Sequence, residues 1–184
     1  LSFRGNQNWD QKATDKTGMS FTTFSWERDL EPLKQIFPEI LKITPVLSTW
    51  RSKLDFGGKV IEDEARVVGV NEDAFAITSR EIIRGDNISY FHVKNRTPVC
   101  IIGSEVVEKL FSNVDPLGEI LRVSTDDQSL GCRVMGTLAA LKKQSEGRNP
   151  DLEVYIPYTY FQSASGNWWM ARIRDVLLKV EEGV

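Results

Sequence analysis

The sequence predicts an α+β fold with more strand than helix, and three kinds of observation carry that prediction. Apolar residues alternate with polar ones over several short runs, Val46, Ser48 and Trp50 facing one way and Leu47, Thr49 and Arg51 the other. Two segments instead repeat at helical spacing: Leu30, Leu33, Ile36 and Phe37, then Val106, Val107, Leu110 and Phe111. Turn signals punctuate the chain, notably Phe56-Gly57-Gly58-Lys59 and Asp115-Pro116-Leu117-Gly118.

Taken in order, the first 24 residues are polar and read as irregular, with short strands near Leu1–Arg4 and Ser20–Phe24. Ser25 before Trp26-Glu27-Arg28-Asp29 is an N-cap signal with acidic first-turn residues. Pro32 suits a first turn better than an interior, so a helix start nearer Asp29 stays open; Pro38 ends the helix. Ile43 to Lys53 reads as a strand, Val60 to Val70 as its partner across the Gly57-Gly58 turn, and Asn71 to Phe75 as a short helical turn.

Pro98 to Ile102 is apolar enough for a buried strand. Gly103-Ser104 supplies a turn and N-cap for a helix through Phe111. Asp115 to Gly118 has the residues of a type I turn, with Asp first, Pro second and Gly fourth. Strands follow at Glu119–Ser124, Gly131–Leu138 and Leu152–Pro157, with a polar loop from Lys142 to Pro150. The last strand, Trp168 to Val180, changes phase and predicts a bend near Asp175.

Composition narrows the function classes. With 41% hydrophobic and 27% charged residues in 184, the chain can bury a core without metal or disulfide help. A net charge of −3 provides no general attraction to nucleic acid. No stretch approaches the roughly 20 apolar residues of a membrane helix. The start Leu1-Ser2-Phe3-Arg4-Gly5 has neither an initiator Met nor a signal-peptide pattern, so the chain reads as an excised piece of a longer protein. Cys100 and Cys132 lie in apolar strand patterns and are expected to be two small buried thiols, a disulfide being the alternative in an oxidising compartment.

Residues that carry chemistry are sparse, and no catalytic, metal or cofactor-binding residue is assigned. His92 is the only histidine, and its neighbours Tyr90, Phe91 and Val93 point to a strand or loop position. There is no Gly-rich phosphate cradle. Asp126-Asp127 and Glu181-Glu182 read as solvated doublets, and Arg84-Gly85-Asp86 as a chance triplet. The aromatic set is the one candidate interaction surface. Trp168 and Trp169, with Tyr158 and Tyr160 and beside Tyr155 and Phe161, could form a stacking face or could pack the core. Two adjacent tryptophans on a strand face opposite ways, which leaves one of them free for an interface.

Ile83-Arg84-Gly85-Asp86, Val99-Cys100-Ile101-Ile102-Gly103-Ser104, Leu110-Phe111 and Asp115-Pro116-Leu117-Gly118-Glu119-Ile120 together resemble the extracytoplasmic core domain of MacB-like permeases. Val134-Met135-Gly136 and Val154-Tyr155-Ile156-Pro157 resemble the next landmarks of that family, and Ser25 to Pro45 and Val68-Gly69-Val70 the earlier ones. It is the order and spacing that resemble the family; no single piece is specific. Arg84-Gly85 reverses the usual Gly-Arg order. The family pattern also continues with a further helix and strand past the point equivalent to Val184, so the chain is expected to be a truncated domain or a compact variant.

The resemblance implies a two-lobed extracytoplasmic domain. Residues 1–69 and 150–184 would form a porter-like membrane-proximal lobe, and residues 70–149 a distal mixed α/β lobe. It implies a location on the periplasmic or extracellular face of the bacterial cytoplasmic membrane, and no cofactor. It also implies a non-catalytic part of an ABC transporter permease that couples cytoplasmic ATP hydrolysis to movement of a peptide, drug, toxin or lipoprotein. The implied partners are an ATPase subunit or domain, a second permease copy and a periplasmic adaptor or lipoprotein. A ligand- or signal-sensing module without transport is the second reading, and a soluble enzyme dependent on His92 the last.

Overall fold

The structure, a computed structural model, describes residues 2–4, 13–14, 20–21, 24–49, 51–124, 129–141, 149–165, 172–173 and 175–181. The strands are β1 (Ser2–Arg4), β2 (Ala13–Thr14), β3 (Ser20–Phe21), β4 (Ile40–Ser48), β5 (Ser52–Phe56), β6 (Lys59–Val70), β7 (Ile82–Gly85), β8 (Val99–Ile102), β9 (Ile120–Ser124), β10 (Ser129–Leu138), β11 (Glu153–Pro157) and β12 (Asp175–Val180). The helices are short: α1 (Leu33–Ile36), α2 (Ala74–Thr78), α3 (Tyr90–Lys94), α4 (Ser104–Leu110) and α5 (Tyr158–Ala164). This is a mixed helix and strand fold, and strand predominates.

Strand β6 organises the molecule. One of its edges takes β4 at Leu47↔Gly69 and Ser48↔Val68, then β5 from Ser52↔Ala65 to Phe56↔Lys59. The other edge takes β11 in parallel, Glu153↔Arg66 through Pro157↔Val70. From β11 the pairing passes to β8, β10 and β9, and β9 returns to β5 through Lys53↔Ser124 and Leu54↔Val123. Strands β6, β11, β8, β10, β9 and β5 therefore close a ring, which satisfies strand edges that would otherwise stay open. Strands β4, β12 and β1 extend from the same sheet beyond β6.

Alternation fills the ring. Leu121 and Val123 are buried between exposed Ile120 and Arg122, and Cys132 and Val134 between exposed Gly131 and Arg133. Strand β8 is buried at all four positions, as its continuous apolar run predicts. Cys100 and Cys132 are buried but are not thiols: they form a disulfide between adjacent strands β8 and β10, with Cα atoms 5.6 Å apart. Cys132 sits two residues before Val134, the pairing partner of Cys100, and so lies diagonally across on the same face.

The helix expected from Ser25 to Phe37 is broken in two. Trp26–Leu30 is a π-helical turn, with Leu30 N–H donating to Ser25 O and Glu31 N–H to Trp26 O. Pro32 has no N–H to continue the ladder, and the helical phase resets into α1. The predicted apolar stripe is lost with it: Leu30 is 1% exposed, but Ile36 and Phe37 are 64% and 49% exposed. The strand expected over Ile43–Lys53 is likewise two strands. Thr49 Oγ1 accepts from Val67 N–H at 2.9 Å and bonds Ser52 Oγ at 2.7 Å, replacing ladder bonds and letting the chain bend from β4 into β5. Arg66 clamps the bend, donating to Thr49 O and Ser48 Oγ. Trp50 lies outside the described residues.

The turn after α4 is one residue later than expected. Glu119 N–H donates to Pro116 O, which makes Gly118 the third residue of the turn with φ +88°, a type II arrangement. Asp115 instead accepts from Leu117 N–H through its side chain. His92 is neither in a strand nor in a loop but in α3, where its Nδ1 accepts from Ser89 N–H and its own N–H donates to Ser89 Oγ. The polar loop falls on residues 142–148, and the strand start at Trp168 on 166–171, outside the described set. The bend near Asp175 abuts residue 174, also outside it.

Candidate functional site

A cleft of about 560 Å³ forms where the Trp26 turn, α5 and the end of α3 meet. Phe24 N–H donates to Ile173 O at 3.1 Å, which brings Arg172 beside Ser25 and Trp26. Ser25 is extended (φ −101°, ψ 138°), and its N–H donates to Asp29 Oδ2 at 2.7 Å. That closure presents the Trp26 ring to Tyr158, 5.9 Å away and tilted by 39°.

Helix α5 supplies the opposite wall. Tyr158, Thr159, Gln162 and Ser163 share one helical face and all line the cleft. Thr159 Oγ1 donates to Val93 O, which fastens α5 to α3. Helix α3 then ends in a Schellman pair, Thr97 N–H to His92 O and Arg96 N–H to Val93 O. Arg96, at φ +52°, turns onto the cleft wall.

Among the described residues the charged lining is Arg96, Arg172 and Glu27. Burial pushes the Tyr158 hydroxyl above the tyrosine range, and Glu27, Glu72 and Glu31 push it the same way. Tyr158 therefore stays a neutral phenol on an aromatic floor.

Of the residues singled out in the sequence, Tyr158 lies in this cleft and is 5% exposed. Tyr160, two residues on along α5, faces away and donates to Gly131 O at 2.8 Å. Tyr155 is buried on β11, donating to Glu153 Oε2 at 2.5 Å, with its ring 5.1 Å from that of Phe75. Phe161 is core. Trp168, Trp169, Asp126, Asp127 and Glu182 lie outside the described residues. Arg84 of the Arg-Gly-Asp triplet is on β7 and pairs with Asp115 at 2.6 Å. Trp26, Arg96 and Arg172 were not legible as a site, because segments far apart in sequence bring them together.

A second cleft, of about 540 Å³, lies by the Gly57-Gly58 hairpin and is lined by Phe56, Ile120, Arg122 and Leu130 among others.

Residues 3–184 match the family model described as the MacB-like periplasmic core domain. The macrolide export ATP-binding/permease protein MacB of Burkholderia thailandensis is 32% identical over 125 residues, 67% of this chain and 18% of that protein. Its counterpart in Bartonella quintana is 26% identical over 160 residues, 86% of this chain and 22% of that protein. The chain thus spans about a fifth of the length of these curated relatives. Among solved structures, the periplasmic region of MacB from Actinobacillus actinomycetemcomitans superposes with a TM-score of 0.70 at 20% identity, covering 100% of this chain and 74% of that one. The extracellular domain of the ABC-type transporter YknZ from Gram-positive bacteria gives 0.69 at 18% identity, covering 98% and 82%. At these identities the likeness is one of fold.

Proposed function

The chain belongs to the MacB-like periplasmic core domain family, periplasmic domains of ABC transporter permeases, and from that premise we propose that it couples cytoplasmic ATP hydrolysis to the movement of cargo outside the inner membrane. Its partners in this reading are an ATPase subunit or domain, a second permease copy, and a periplasmic adaptor or lipoprotein that receives the cargo. No helix among the described residues is long and apolar enough to cross a membrane, so the membrane part would be contributed from elsewhere in the parent protein.

The observation that carries this reading is the continuity of the sheet. Strand β6 belongs at once to the six-strand ring and to the β4–β12–β1 extension. A displacement applied to one part would be transmitted through backbone hydrogen bonds rather than absorbed in a linker. The proposed lobes, residues 1–69 with 150–184 and residues 70–149, would meet where β11 pairs with β8 and β5 pairs with β9. Trp168 and Trp169 are the proposed cargo-facing residues, with Tyr158 reached through the Trp26 cleft and Tyr160 on the other side of α5.

The test uses the whole permease with its ATPase in membranes. A spin label at exposed position 108 (Glu108→Cys) would report the distance between the two copies. Coupling requires a distance distribution that changes between nucleotide-free and ATP-analogue states. A distribution indifferent to nucleotide would overturn it. The cleft at Trp26 favours the second reading, a ligand-sensing module. A distance that responds to ligand and not to nucleotide would select that reading.

A further inference from the structure

Among the described residues, the charged lining of the cleft is weighted toward cations. Arg96 and Arg172 line it against one carboxylate, Glu27, in a protein of net charge −3. Glu27 is engaged at its own turn, accepting from Ser25 Oγ at 3.2 Å. Arg96 is exposed, and its side chain makes no hydrogen bond or ion pair among the described residues. Its backbone is left-handed, at the position after a helix where glycine is the common choice, so a long charged side chain is held there at a conformational cost. Strain of that kind on a cleft wall is a mark of a site.

The rest of the lining divides by chemistry. Phe24, Trp26 and Tyr158 provide apolar and aromatic surface, while Gln162 and Ser163 border it with polar groups. A volume of about 560 Å³ is within the range of small-molecule sites, and such sites combine apolar walls with a few placed charges.

We infer that this cleft binds an anionic amphiphile, with Arg96 and Arg172 holding its carboxylate or phosphate head and Phe24, Trp26 and Tyr158 its apolar body. The inference concerns direct binding by this chain and does not depend on ATP-driven movement, so either can fail alone.

Calorimetric titration of the 184-residue chain with five probes below micelle-forming concentrations tests it: decanoate, decyl phosphate, decyl maltoside, decyltrimethylammonium and inorganic phosphate. Decanoate and decyl phosphate are expected to bind about tenfold or more tighter than the neutral and cationic chains. Inorganic phosphate is expected to bind far more weakly than decyl phosphate. Arg96→Gly should weaken both anionic chains about tenfold, leave decyl maltoside unchanged, and hold or raise Tm, because glycine suits the left-handed position. If Arg96→Gly lowers Tm, Arg96→Asn, which also tolerates that backbone, is judged in its place. Equal affinity for all head groups, phosphate binding as tightly as decyl phosphate, or an unaltered affinity in the stable Arg96 variant would each overturn the assignment.

Discussion

Arg80 and Asp151 form a buried ion pair, 3.4 Å apart with side chains 5% and 8% exposed, that ties the end of α2 to the turn before β11. Asp151 also accepts from Leu141 N–H at 3.0 Å, and Arg80 donates to Pro150 O. The pair thus closes both ends of the segment between Leu141 and Asp151 onto α2. Removing one partner strands the other charge away from water, which costs about 3–5 kcal/mol. Arg80→Met is expected to lose about 3 kcal/mol in urea unfolding. Arg80→Met with Asp151→Asn should lose less than the sum of the two single changes.

Asp73 makes stability pH-dependent at the acid end. Burial raises its affinity for a proton, but hydrogen bonds from Lys42 and Lys34, both at 3.0 Å, and from Ile43 N–H outweigh it and hold the carboxyl below its ordinary value. A depressed folded pKa contributes stability above the unfolded value of about 4, and that contribution is lost as pH falls through the folded value. Asp73→Asn should cost about 1–2 kcal/mol at pH 7 and nothing once both forms are protonated. Denaturation midpoints of the two proteins are expected to converge as pH drops below about 4.

The Cys100–Cys132 bond closes a loop with a sequence separation of 32. In the chain-entropy account a loop of that length contributes about 3–4 kcal/mol. The chain unfolded in guanidinium without reductant should show no free thiol in a colorimetric titration. Replacing both cysteines with alanine should lower unfolding free energy by about that amount.

Gly85 tests the close approach of β7 to β10. At φ +78° a Cβ would meet the Met135 carbonyl oxygen at 2.0 Å, and that backbone atom cannot move aside without breaking the Asp86 N–H to Met135 O bond. Gly85→Ala is expected to cost about 2–4 kcal/mol. Gly57→Ala, at φ +57° with nothing within 4 Å, should cost only about 1 kcal/mol. The difference between the two melting temperatures measures the clash apart from the backbone conformation.

Local patterns in the sequence determined a good deal. The burial of Val99–Ile102, the helix carrying Val106 and Leu110, the Gly57-Gly58 hairpin and the alternation of β9 and β10 all follow from periodicity within a few residues. So does the family, because ordered landmarks from Ser25 to Pro157 survive as a pattern.

What the sequence left open required contacts between distant segments. The break at Pro32 was visible as a problem, but its outcome depended on π-type bonds to Ser25 and Trp26. The bend at Thr49 is made by Val67 and Arg66, which local spacing cannot reveal. Cys100 and Cys132 read first as buried thiols, with a disulfide as the alternative, and the parallel register of β8 and β10 decided between the two by placing them diagonally. Tyr158 stood out as an aromatic residue, while Trp26, Arg96 and Arg172 joined it only through the Phe24–Ile173 bridge and the left-handed end of α3. Periodicity records which side of a strand or helix meets the core. Which other segment waits there is decided by long-range pairing, and in this protein that pairing closes the six-strand ring and forms the cleft.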